Sequence, residues 1–349
     1  MTKSVPFSLV TIAVSAVCAG AWRAEAATYV QTNLVSNMPG AEITDPALVN
    51  PWGITETTTS PFWVSDQGAS VATLYTVTNS TTVSKVTAVN PPTGNIAIPT
   101  TAVGPQGPTG TVANTSGFFQ IPTGGGTAPA HFIFANLNGT ISAWNTIGQN
   151  ASAQATTPGA SYTGLAISQN LTTTVLYAAN RTTGAIDVLN GSFQPALSFT
   201  GKFIDPSLLG GLAPFNVQDI GGKVYVTYAP SNPATAGVGQ GVVSVFNENG
   251  NFLQRVATGG SLAAPWGVAL APSSFGQFGS DLLVGNFSTN SISAFKLDTT
   301  TGLFDFVGTI AINGPGGLLA LEFGNGGNGG SPNTLYFHRF RLNRSISCG

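Results

Sequence analysis

The chain has 349 residues and carries little charge: 11 basic and 13 acidic residues give a formal net charge of −2, and charged residues make up 7% of the sequence, against about 25% in ordinary soluble proteins. A nucleic-acid-binding footprint is thereby excluded, because no basic stripe interrupts the bulk of the chain. The 44 Gly and 22 Pro, with abundant Thr, Ser and Asn, point instead to many short strands joined by tight turns.

The first element in chain order is a targeting signal. Lys3 supplies a positive start, Val5 to Ala21 is apolar, and Ala24-Glu25-Ala26 is a small-x-small motif. This pattern predicts a secretory signal peptide over 1–26 with cleavage after Ala26, in preference to an uncleaved membrane anchor. The expected location is extracellular or periplasmic, with no transmembrane segment after removal. Cys18 would leave with the signal, so Cys348 would have no intramolecular partner.

From Thr28 onward the chain repeats, and fixed-period similarity is the signature of a stacked architecture. The first marker recurs as Pro51-Trp52-Gly53-Ile54, Pro108-Thr109-Gly110-Thr111, Tyr162-Thr163-Gly164-Leu165, Pro214-Phe215-Asn216-Val217, Pro265-Trp266-Gly267-Val268 and Pro315-Gly316-Gly317-Leu318. After each comes an apolar strand ending in a polar residue, such as Phe62 to Asp66, Phe132 to Asn136 and Leu282 to Asn286. A third strand with alternating apolar residues follows, as at Ala185 to Asn190 and Val242 to Asn247. Outer strands are expected at Thr82 to Val89, Phe199 to Ile204, Phe252 to Ala257 and Phe306 to Ile312. The stretches Asn90 to Gly126 and Pro230 to Gly241 read as surface insertions.

Six units of about four antiparallel strands describe an all-β, six-bladed β-propeller over 27–338. Thr28 to Val35 is expected to join the last blade and close the ring, which removes an open sheet edge. The marker aromatics are expected to pack between blades. The terminal residues 339–349 break the pattern. Three of the chain's six Arg fall there and the turn residues expected after the last strand are absent, so an aberrant tail and an incomplete last blade are expected.

The chemistry-bearing residues are few. Asp66, Asn136, Asn180, Tyr228 and Asn286 end successive second strands, so the repeat predicts a ring of polar groups at one face of the channel. Two readings stay open for them. They can bind a ligand, with Asp66, Asn136, Asn180 and Asn286 offering oxygens to a hard cation such as calcium. They can also simply shape the turns after the strands. Asn216, Gln218 and Asp219 could face the channel or serve structural hydrogen bonds. His131 has no partner motif, His338 falls at the aberrant end, and Gly324 to Gly330 lacks the Lys and Ser/Thr of a phosphate loop.

The stretches Leu48 to Gly53, Gly139 to Asn145, Ala213 to Gln218, Gly222 to Ala229, Leu283 to Phe287 and Pro332 to Phe337 resemble an uncharacterised family of secreted bacterial proteins predicted to be six-bladed propellers, distantly similar to the NHL-repeat type. The resemblance implies the fold and an exported location and brings no catalytic residues. The function expected from all this is a monomeric binding scaffold for a protein, glycan or small ligand. The alternative is a calcium-dependent lactonase-like or lyase-like enzyme that uses the channel ring.

Overall fold

The computed structural model describes residues 8–14, 29–100, 106–145, 150–314 and 316–340. Among them the fold is an all-β propeller. Its inner strands run Pro51–Thr55, Pro108–Ala113, Tyr162–Ile167, Leu212–Ile220, Pro265–Leu270 and Gly317–Phe323, each the first strand of its unit. The second strands run Phe62–Asp66, Phe132–Asn136, Leu176–Asn180, Lys223–Pro230, Leu282–Asn286 and Leu335–Phe340. They are buried almost throughout, because a strand between two blades has apolar neighbours on both faces. That burial is why these segments read as unbroken apolar runs.

A similar register recurs in five units. The first marker residue pairs at or near the end of the second strand: Pro51 with Asp66, Pro108 with Asn136, Tyr162 with Asn180, Pro214 with Tyr228 and Pro265 with Asn286. A bulge follows, and pairing resumes three residues on, as at Ile54 with Val64 and Val268 with Val284. A bulge bends a strand and tightens its twist. Here it sits on the marker glycine. A Cβ on Gly53 would lie 2.5 Å from the Thr109 carbonyl oxygen and 2.9 Å from the Thr111 nitrogen. Gly110 crowds Leu165, Gly164 crowds Asn216 and Gly267 crowds Leu319 in the same way. The glycines therefore let neighbouring inner strands touch backbone to backbone around the axis.

Several expectations are corrected. Five blades are found in place of six, each with four or five strands. The third unit is a three-stranded sheet, Tyr162–Ile167, Leu176–Asn180 and Ala185–Leu189. Its expected outer strand at Phe199 to Ile204 does not form. Phe193 and Phe203 adopt positive φ of 60° and 58°, which turns the chain away from the sheet. Pro195 has no N–H to extend the ladder, so contact with Leu189 stops at an isolated bridge and one bond from Ala196 N to Val188 O. Leu197–Phe199 then forms a 3₁₀ turn.

The last sheet, expected to be incomplete, has five strands. Tyr29–Ser36 joins it as the closing strand, but Ser8–Val14 lies between that strand and Leu335–Phe340. The remaining residues of the expected signal, 1–7 and 15–26, fall outside the described residues, as do Cys18, Cys348 and most of the expected tail. The sixth marker is also shifted: Leu318 pairs with Arg339 and Leu321 with Phe337, so Leu318-Leu319-Ala320-Leu321 takes the role expected of Pro315 to Leu318. Nor is Asn90 to Gly126 one surface loop. It contains the second inner strand, and only the hairpin Gln120–Thr123 with Gly126–Pro129 projects from the fold.

Candidate functional site

The repeated register separates the two ends of the channel. At the marker end, aromatic side chains from opposite units meet. Trp52 packs edge-on against Phe215 and Trp266 at 6.1 and 6.2 Å between centroids, and Phe215 against Phe287 at 5.6 Å. The indole Nε1 of Trp266 donates to the Thr163 carbonyl at 2.9 Å, and Asn216 Nδ2 donates to the Trp266 carbonyl at 3.0 Å. His338 is buried beneath this plug, its Nδ1 3.1 Å from the Trp52 carbonyl, and burial lowers its pKa to about 4. The marker end is thus closed by ring packing and hydrogen bonds.

The predicted polar ring sits at this closed end; four of its members make side-chain hydrogen bonds, while Asp66 Oδ1 and Asn136 Oδ1 are buried without a partner. Asp66 accepts from Thr73 Oγ1 at 2.7 Å. Asn136 Nδ2 donates to the Pro99 carbonyl. Asn180 Oδ1 accepts from the backbone of Thr182, and its Nδ2 donates to Asp187 Oδ2 at 2.8 Å. Asn286 Oδ1 accepts from Ala263 N at 2.9 Å, while its Nδ2 donates to Ser291 and Ser293. Tyr228 is buried in the fourth unit, where Asp205 instead holds Ser244 at 2.7 Å and Arg255 at 2.7 and 3.0 Å. The ring residues tie second strand to third strand and loop. Among the described residues no three His, Cys, Asp or Glu gather as a metal site.

The open end is different. Past the glycine constriction the inner strands diverge into a funnel of about 440 Å³, lined by residues from all six of them. Ile54, Leu165, Val268 and Leu321 share its walls with polar groups, among them Thr55, Gln169 and Gln218. Three acids stand among them: Glu56 and Glu322 from the neighbouring first and last units, and Asp219 from the fourth. No Lys, Arg or His lines the funnel. Thr111 on the second inner strand is buried, and neither its Oγ1 nor Glu56 Oε2 has a hydrogen-bond partner.

Burial sets the protonation of these acids. It pushes Glu56 well above the ordinary carboxylate range, and the nearby Glu322 adds repulsion; burial raises Glu322 as well. Two carboxyls that close cannot both ionise in apolar surroundings, so the pair keeps a proton at neutral pH. Asp219 is raised to about 7, first by burial and then by Glu248. Glu248 is fixed in turn by the backbone N–H groups of Gln169 and Asn170 at 2.5 and 2.8 Å.

Of the residues singled out from sequence, Gln218 and Asp219 do line the funnel, and Asn216 stands at its constriction. His131 is exposed beside Trp144. Glu56, Glu322 and Thr111 were missed. A usable signal existed: Glu56 and Asp219 each stand five residues after the first marker residue, at the exit of an otherwise apolar strand in a chain that spends charge sparingly.

No protein-family model matches the chain. It is 29% identical over 283 residues to the uncharacterized protein R648 of Acanthamoeba polyphaga mimivirus, a match covering 77% of this chain and 67% of that protein. It is likewise 29% identical over 290 residues to protein L690 of the same virus, covering 78% and 73%. Among solved structures it is similar to a protein from Lactobacillus plantarum, at 12% identity and a TM-score of 0.46 over 88% of this chain and 97% of that one. A chain of a nidogen–laminin complex aligns at 11% identity and a TM-score of 0.49, over 87% and 93%.

Proposed function

We propose that this protein is an exported propeller that binds a small ligand in the open funnel, with the three-stranded sheet serving as a sixth blade. The six-membered ring is supported by the shared register and by the third inner strand, whose Gly164 lies against Asn216 of the fourth unit. The funnel carries the functional reading: one cavity of about 440 Å³, reached by every inner strand and closed behind by Trp52, Phe215 and Trp266. Cavities of that size with convergent polar groups suit small molecules. Export is supported by the n-region, apolar run and cleavage motif of 1–26.

The enzymatic alternative rests on the same acids, since carboxyls with raised pKa in a cleft are candidates for proton transfer. No three His, Cys, Asp or Glu gather among the described residues, and we favour binding. Ligand-observed NMR with a fragment library tests it. Hits should bind the native protein and be lost from Ile167→Trp, which places an indole in the funnel mouth. Hits that persist in the variant would refute the funnel as the site.

A further inference from the structure

We infer that the funnel selects a small primary ammonium carrying a hydrocarbon group, held between Glu56, Glu322 and Thr111. The inference rests on the funnel reading and names its ligand class. Three observations lead to it.

The first is the donor–acceptor balance. Glu56, Glu322 and Thr111 come from the first, last and second inner strands, which are three consecutive neighbours around the ring. Two of their oxygens, Glu56 Oε2 and Thr111 Oγ1, are buried without a hydrogen-bond partner. An unmatched buried acceptor costs about 1–3 kcal/mol, and a native fold keeps such groups where something satisfies them. A primary ammonium has three N–H donors and no acceptor, so it matches three oxygens from three strands.

The second is sign. Every ionisable group on the funnel wall is acidic and no basic side chain lines it. A cleft of one sign with apolar walls concentrates the opposite charge. The third is the wall, where Ile54, Leu165, Leu321 and Phe323 offer contact to carbon atoms beside the polar groups. A divalent metal would want six or more oxygens, and no three acidic or imidazole groups converge among the described residues. An anionic ligand would meet the carboxylates.

The ammonium also settles the carboxyl pair. A cation between Glu56 and Glu322 stabilises both ionised forms, so the proton that the free pair retains is released on binding.

Calorimetric titration with cyclohexylamine, with neutral cyclohexanol as its shape match, tests the inference. The amine should bind at least tenfold tighter than the alcohol at pH 7.5. It should release a proton, read as a dependence of the heat on the ionisation enthalpy of the buffer. Glu322→Gln and Thr111→Val should each weaken the amine about tenfold or more and leave the alcohol unchanged. Glu322→Gln replaces one carboxyl of the pair by its neutral isostere, and a thermal melt confirms that the variant is folded. Alcohol binding that Ile167→Trp abolishes, with the amine no tighter, would leave the funnel reading standing and overturn the ammonium. So would calcium chloride binding that displaces the amine with higher affinity. Absence of binding by both cyclohexyl compounds would overturn the inference; Ile167→Trp-sensitive fragment hits would still support the funnel.

Discussion

Neighbouring inner strands approach closely at the marker glycines, and Gly53→Ala measures that approach. The added Cβ would meet the Thr109 carbonyl oxygen at 2.5 Å, the Thr111 nitrogen at 2.9 Å and the Thr111 Cγ2 at 3.2 Å. Two of these three atoms are backbone of the neighbouring strand, so no rotamer change relieves the clash. The neighbouring strands would have to separate, and this loosens packing on both sides. Overpacking of this kind costs about 1–3 kcal/mol, and a contact that only backbone motion can relieve belongs at the upper end, about 3 kcal/mol. Gly117→Ala is the matched control. It stands in an exposed bend with no atom within 4 Å of an added Cβ and without a positive φ. Losing glycine there removes only unfolded-state freedom, worth about 0.4–1 kcal/mol in favour of the fold. Urea denaturation followed by tryptophan fluorescence reads both variants as a midpoint shift at constant slope. A Gly53→Ala midpoint equal to or above the native one would refute the account of the marker.

Three further outcomes are expected. Asp66→Asn gives the first unit the residue that the second, third and fifth already carry; burial raises the Asp66 carboxyl well above its ordinary value, so the folded chain holds a proton the unfolded chain gives up, stability falls as pH rises above the ordinary carboxylate range, and the variant should melt higher than native at pH 8 and nearly the same at pH 4. Asp205→Ala strands Arg255 and Ser244 and should cost about 2–4 kcal/mol in the same urea assay. Intact-mass measurement of the secreted product should show a chain starting at Ala27, and a product retaining Met1 would contradict the signal peptide.

Much of the fold was legible because the repeat writes itself in residues that have one physical job. Gly53, Gly110, Gly164 and Gly267 are spaced by the unit and each is required by the same strand contact. Second strands such as Leu282–Asn286 are apolar throughout because both faces are covered. What could not be read was where local chemistry overrides the period. The outer strand of the third unit fails through the positive φ of Phe193 and Phe203, which no L residue announces in advance. In the sixth unit the marker loses its Pro, and the register passes to Leu318 through Leu321. The polar ring was read correctly as a set of equivalent positions, Asp66, Asn136, Asn180, Tyr228 and Asn286, yet equivalence says nothing of direction. Their side chains turn into their own blades, as the bonds from Asn286 to Ser291 and Ser293 show.

The same repeat explains why the candidate site lies at the opposite end. At the marker end every unit must supply a glycine or another residue that fits, a bulge, and a second-strand residue that ties the turn. The aromatic plug then fills the remaining space, so little sequence freedom is left there. Three residues beyond the bulge the inner strands have parted, and a side chain is no longer dictated by its neighbour's backbone. Units then differ: the exits carry Glu56, Ala113, Ile167, Asp219, Leu270 and Phe323 in the six inner strands. Repeat symmetry would give six alike. An asymmetric rim with Glu56 and Glu322 side by side and Asp219 apart from them costs burial of carboxyls, shown by their raised pKa values. Packing alone gives no reason for that cost, whereas a bound cation would offset it. The acids belong to what the funnel holds more than to what holds the funnel.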